Sequence, residues 1–183
     1  MSSPKIALLG TGNLGGAIVR GLLAHQACAP ADLACTSQTG TTARHLAAET
    51  GITFEPDLPK LLAGADTVIL AFKPQSLAGA DPRLAELTAG KLVLSVLAGK
   101  KLSRLAQAFP RARNIVRTMP NTPAAIGAGI TPYCTLTPLE LADRTQVGRI
   151  LDALGPYLPL DATYFDARTA VGLLLAAPVP TGT

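Results

Sequence analysis

The stretch that most constrains this chain is residues 4–15, PKIALLGTGNLG, where a short apolar run ends in a G-x-G-x-x-G spacing and passes directly into an amphipathic segment. That order predicts a strand, a tight turn and a helix. Gly10 suits a backbone position with positive φ, Gly12 leaves room for a ligand to approach the main chain, and Gly15 lets helix and strand pack closely. The amides that open the helix then face an anion, helped by the helix dipole. Leu9, Gly10, Thr11, Gly12, Asn13, Leu14 and Gly15 therefore read as a turn for a dinucleotide pyrophosphate.

The rest of the chain alternates in the same way. Leu14, Ile18, Gly21 and Leu22 fall at helical spacing, which predicts a helix from Asn13 to about His25. Strands are predicted at 33–36, 52–54, 67–72, 92–97 and 115–118. Between them lie helices at 41–50, closed by Gly51, at 58–63, capped by Asp57, from Asp81-Pro82 to Gly90, and at 101–109, stopped by Pro110. A T-x-x-E capping box at Thr137–Glu140, with Pro138 at the first helical position, predicts a further helix from there to Gly155. Residues 157–160 suit an edge strand, because Pro159 would cost a central strand a ladder bond. The fold class is α/β: a Rossmann-type doubly wound, mostly parallel sheet with flanking helices. The domain reading is a dinucleotide-binding unit over 1–163 and the start of a second unit over 164–183, frayed from about Gly172.

Composition narrows the function classes. Hydrophobic residues make up 48% of the 183 and charged residues 15%, which suits a sheet buried on both faces and excludes a disordered chain. Aromatics are 4% with no Trp, and the net charge of +4 is dispersed, so no nucleic-acid surface is expected. Cys28, Cys35 and Cys134 form no C-x-x-C pair and have no neighbouring histidine, which predicts a reducing compartment and no metal. His25, at the end of the first helix, reads as favouring its negative pole, and His45 as a solvated residue on a helix surface. No apolar run approaches the roughly 20 residues of a membrane span, and Ile6–Leu9 is too short for a signal peptide. A cytoplasmic protein is expected.

In open α/β sheets ligands lie beyond the carboxyl ends of the strands, at the switch point. Ala71-Phe72-Lys73-Pro74, Leu97-Ala98-Gly99 and Met119-Pro120-Asn121-Thr122-Pro123 all follow predicted strands and can line one crevice. An Asp or Glu after the second strand would hold the ribose hydroxyl of NAD. Residues 35–42, CTSQTGTT, contain neither, while their hydroxyls and the nearby Arg44 suit a 2′-phosphate. NADP is therefore expected as cofactor, with NAD as the alternative.

The GTGNLG turn, VILAFKPQ at 68–75, LVLSVLAG at 92–99 and especially IVRTMPNTPAAIGAG at 115–129 together resemble the N-terminal half of pyrroline-5-carboxylate reductase, over residues 4 to about 171. The resemblance implies hydride transfer from the nicotinamide C4 to the imine carbon of 1-pyrroline-5-carboxylate, a small cyclic imine, to give proline. It places Leu9 to Leu14 on the pyrophosphate, Ser37 at the adenosine end, Ala71, Phe72, Lys73 and Pro74 at the nicotinamide ribose, and Ala98, Gly99 and Asn121 around the nicotinamide. It also implies a homo-oligomer for the full-length family. No catalytic residue is assigned, because the family's substrate domain has no match here.

Three departures from the family pattern stand out. Leu58 replaces an asparagine that helps hold the cofactor, at a cost of about 0.5 to 1.5 kcal/mol. Leu97 replaces a small residue, and if its side chain faces the crevice the crowding costs about 1 to 3 kcal/mol. After Val171 the chain continues as Gly172 to Thr183 where the family has Ser-Gly-Ser-Gly-Pro-Ala-Tyr and a helical bundle. Two other functions follow from the same residues: an NADP-binding module without catalysis, and an F420-dependent NADP oxidoreductase, which shares the TGNLG-like turn but leaves MPNTP unexplained.

Overall fold

The computed structural model describes residues 5–120, 130–163 and 165. In chain order the elements are β1 (Ile6–Leu9), α1 (Asn13–Ala24), β2 (Leu33–Thr36), α2 (Thr41–Thr50), β3 (Thr53–Phe54), α3 (Leu58–Ala63), β4 (Thr67–Leu70), α4 (Leu84–Leu87), β5 (Leu92–Ser95), α5 (Leu102–Ala108), β6 (Asn114–Thr118), β7 (Thr131–Thr135), α6 (Leu141–Asp152) and β8 (Tyr157–Pro159). The strands form one sheet in the order β3-β2-β1-β4-β5-β6-β7-β8. Every pairing is parallel except β6 with β7.

The central strands are short and wholly buried because helices cover both faces, and alternate residues feed two separate cores. Ile6, Leu8, Ile69, Leu94 and Val116 pack with Ile18, Leu22, Leu46, Val147 and Leu151 from α1, α2 and α6. Ala7, Leu9, Val68, Leu70, Val93 and Ile115 pack with Leu61, Leu62, Leu84 and Leu105 from α3, α4 and α5. This is the doubly wound arrangement expected. α1 meets α6 at Gly21, where a Cβ would lie 2.3 Å from the Ala153 carbonyl oxygen, so only glycine admits this approach.

Three capping expectations are corrected. Thr137 does not open α6: its N–H donates to Asn114 Oδ1 at 3.2 Å and its carbonyl accepts from Asn114 Nδ2 at 3.0 Å, so Thr137 is pinned to the start of β6 and the helix begins only at Leu141. Asp57 precedes α3 without a side-chain cap, and its N–H instead donates to Glu55 Oε1 at 2.9 Å. Asp81 spends its carboxylate on the backbone and guanidinium of Arg83, which closes a turn and leaves α4 a single turn long. β4 and β5 end at Leu70 and Ser95, short of the predicted limits. Strand β7 was not expected at all. The division at 163/164 falls where the description ends, since residues 164 and 166–183 lie outside the described residues.

Burial also controls the thiols. Cys35 is fully buried in β2 and its thiol is pushed up to about 11 by loss of solvation, against an ordinary 9.0. The half-buried Cys28 is raised chiefly by burial and then by Asp32, with Arg149 opposing. Alkylation at mildly alkaline pH should label Cys28 well before Cys35, as peptide mapping would show; equal rates would contradict the burial. Because the folded Cys35 holds its proton to higher pH than the unfolded chain does, its contribution to stability is intact below about 9.0 and is lost as pH rises through about 11.

Candidate functional site

The parallel register brings Leu9, Thr36, Leu70, Ser95 and Arg117 to one level, so the turns that follow β1, β2, β4, β5 and β6 share one edge of the sheet. β1 and β4 are neighbours, with β2 and β3 on one side and β5 on the other, which makes this boundary the switch point. Gly10–Asn13 and Ala71–Pro74 border it directly.

The three glycines of the first turn meet different surroundings. Gly10 has φ of +102°, and its N–H donates to the Thr36 carbonyl at 2.9 Å; a Cβ there would lie 2.4 Å from Phe72 N. A Cβ on Gly15 would lie 2.3 Å from the Gly10 carbonyl oxygen, so this glycine sets how closely α1 packs on the turn. Gly12 is exposed, has φ of −69°, and a Cβ would meet nothing within 4 Å. Two glycines thus close the turn against protein, and the third faces open space. α1 has no side-chain cap and no acidic residue in its first turn, so its leading amides suit an anion. Asn13 is exposed, Leu14 half-buried, and Leu9 and Thr11 buried.

Thr11 Oγ1 lies 2.7 Å from Thr42 Oγ1, a hydrogen bond that ties the turn to the first turn of α2. Sequence reasoning missed Thr42, although the paired threonines of residues 41–42 stand in the segment it singled out. Ser37 Oγ accepts a long hydrogen bond from Ala43 N at 3.4 Å and so helps cap α2. Arg44 rises from the same helix and lies with its guanidinium carbon 5.0 Å from the centre of the Phe54 ring. Phe54 is a second residue the sequence did not single out.

On the other side of the crevice, Ala71 N donates to the Leu9 carbonyl at 2.8 Å, and Ala71, Phe72 and Pro74 are half-buried while Lys73 is exposed. Ala98 and Gly99 are exposed after β5. Leu97 is 2% exposed and packs into the core beside Val93 and Leu105. The condition attached to Leu97 is not met: its side chain is part of the core, so the crowding cost does not arise. Leu58 likewise packs against this core from the start of α3. Asn121 lies outside the described residues; β6 leads towards it through Met119, whose N–H donates to the Pro132 carbonyl at 3.1 Å.

A cavity of about 540 Å³ opens at the opposite, amino end of the strands, lined among others by Lys5, Thr67, Arg113, Asp143 and Arg149. Its walls are braced internally. Arg113 donates to both Asp143 oxygens, to Asp66 and to the Gly90 carbonyl, and the two carboxylates raise its pKa, Asp143 first and then Asp66. This end of the molecule clamps α6 to the sheet and lies far along the strands from the glycine turn.

The family model described as NADP oxidoreductase coenzyme F420-dependent matches residues 5–99. A pyrroline-5-carboxylate reductase of Pseudomonas aeruginosa is 34% identical over 174 residues, covering 93% of this chain and 63% of that protein. Among solved structures, a pyrroline-5-carboxylate reductase of Coxiella burnetii superposes with a TM-score of 0.84 at 24% identity, over 93% of this chain and 64% of the other. The Plasmodium falciparum pyrroline carboxylate reductase, solved with NADP bound, gives 0.75 at 22% identity over 93% and 63%. The chain thus spans a little under two thirds of the length of these relatives.

Proposed function

We propose that the chain, which belongs to the family described as NADP oxidoreductase coenzyme F420-dependent and is 34% identical to a pyrroline-5-carboxylate reductase over 174 residues, holds NADPH for the reduction of 1-pyrroline-5-carboxylate to proline. The observation that carries the reading is the open Gly12 between two closed glycines, set at an uncapped helix beside the switch point. The chemistry of the donor set fits such a group: backbone amides for a pyrophosphate, and hydroxyls without a carboxylate after β2.

Leu9 to Gly15 would bind the pyrophosphate, Ser37 the adenosine end, Ala71 to Pro74 the nicotinamide ribose, and Ala98, Gly99 and Asn121 the nicotinamide. When bound, the nicotinamide supplies a hydride to the imine carbon while the ring nitrogen gains a proton. The chain's own part is positioning. Gly10 and Ala71, fixed against each other across β1 and β4, hold the two sides of the crevice at constant spacing. The exposed Lys73 places a cation beside it. A reducing, cytoplasmic setting belongs to this reading, supported by the cysteine usage; no described helix is long and apolar enough to cross a membrane. The homo-oligomer of the family is likewise proposed for a chain of the relatives' full length.

The test is NADPH oxidation with 1-pyrroline-5-carboxylate, run beside direct NADPH binding. Binding together with turnover, by this chain or by the chain extended to the relatives' length, is the expected result. Binding without turnover by the extended chain would select the non-catalytic module. That second reading draws support from residues 172–183, which do not follow the family pattern. The F420-dependent reading draws on the TGNLG-like turn and on the description of a family model whose match stops at Gly99, before the MPNTP segment.

A further inference from the structure

The turn after β2 contains a device that the pyrophosphate reading does not use. Arg44 lies in the first turn of α2, yet its guanidinium folds back: a Cβ built on Gly40, just before the helix, would be 3.8 Å from both its Cζ and its Nη1. The same Cβ would lie 3.3 Å from Phe54 Cζ, so guanidinium and ring stack over one spot at the carboxyl edge of the sheet. Phe54 ends β3, follows the residue paired with Ala34, and packs partly into the core, so its ring has a fixed base. Gly40 has φ of +74°, and any side chain there would also press on the stack. No carboxylate of the described residues is ion-paired with Arg44, whose planar fork is therefore available to an oxyanion. The Thr11–Thr42 hydrogen bond ties this first turn of α2 to the glycine turn, which sets the spacing between the two anion-facing groups.

We propose that Phe54 is a positioning residue that holds Arg44 as the receptor for the 2′-phosphate of NADPH, so that discrimination against NADH resides in an arginine–aromatic stack bridging β3 and α2. The proposal rests on the cofactor reading given above. NADH presents only a hydroxyl at that position, and the turn has no carboxylate to accept it. The phosphomonoester loses its second proton near pH 6, so the preference for NADPH narrows below about that pH as the receptor meets a weaker anion.

The experiment measures equilibrium binding of NADPH and NADH by nicotinamide fluorescence, with 2′-AMP and 5′-AMP as competing probes. It uses the unaltered protein, Arg44→Met, Phe54→Leu and Phe54→Tyr. Arg44→Met should weaken NADPH and 2′-AMP about ten- to hundredfold and leave NADH and 5′-AMP unchanged. Phe54→Leu, which keeps an apolar side chain on the core, should weaken NADPH about two- to fivefold with NADH unchanged, and Phe54→Tyr should restore it. Equal loss of both dinucleotides in Phe54→Leu, or an unaltered protein that binds NADH as tightly as NADPH, would overturn the proposal. Binding of neither dinucleotide to the unaltered protein would overturn the cofactor reading and this inference together.

Discussion

Gly12→Ala should leave the protein as stable as its parent while its affinity for NADPH falls about ten- to hundredfold, and Gly10→Ala should destroy stability first. At Gly12 the backbone already occupies an extended region open to any residue, and the new methyl meets no protein atom within 4 Å. The unfolded chain loses freedom, so unfolding free energy stays level or rises by a few tenths of a kcal/mol. The methyl fills only the space assigned to the pyrophosphate. At Gly10 the alanine methyl would lie 2.4 Å from Phe72 N at φ of +102°, so strain and overlap add. A loss of about 3 to 5 kcal/mol is expected, a large share of a typical domain's stability. Urea unfolding and NADPH titration on both variants separate the roles. A destabilised Gly12→Ala that still binds normally would show that the open face of the turn is not the ligand's face.

Arg113→Met should cost about 2 to 3 kcal/mol in urea unfolding, with no change in dinucleotide affinity. Its guanidinium donates to Asp143 at 2.8 and 3.1 Å and to Asp66 at 3.1 and 3.2 Å, joining α6 to the starts of β4 and β6. The Asp143 side chain is 9% exposed, and removing the arginine leaves that carboxylate buried without its counter-charge. Arg113 itself is one-third exposed, so solvent screening holds the cost below the roughly 3 to 5 kcal/mol of a fully buried pair. The double variant Arg113→Met/Asp143→Leu should recover most of the loss, because the carboxylate that remains, Asp66, is exposed and solvated. Failure to recover would mean that packing of the arginine stem, not charge, carries the effect.

Most of the sheet was legible because β1, β4 and β5 are four-residue, largely apolar runs, β6 has an apolar Ile115-Val116 centre, and a glycine or proline follows each within a few residues. Helices α1 and α2 could be bounded closely for the same reason: Gly51, with φ of +75°, closes α2 where expected. The misreadings share a cause. Thr137, Asp57 and Asp81 carry the local signature of a cap, but a cap forms only where the residue is not held elsewhere: Asn114 holds the main chain of Thr137 and Arg83 the carboxylate of Asp81. β7 includes Pro132 and owes its place to pairing with β6 and β8, partners remote from its own composition. Leu97 was ambiguous because which side of a strand end faces the crevice depends on residues beyond the ladder. At the candidate site, the glycine turn could be read from spacing alone. The Thr11–Thr42 bond and the Arg44–Phe54 stack could not, since both join residues brought together only by the β1–β2–β3 register.

Among the described residues the sheet stops in two residues at one side, Thr53–Phe54, and in three at the other, Tyr157–Pro159, with a proline among them. Each margin therefore offers too few unpaired backbone groups to template another strand, and the last residue of β8 has no N–H to offer. Two copies of this unit meeting side by side would gain little from extending their sheets into one another. These short margins resist the open-ended strand stacking that leads to fibres.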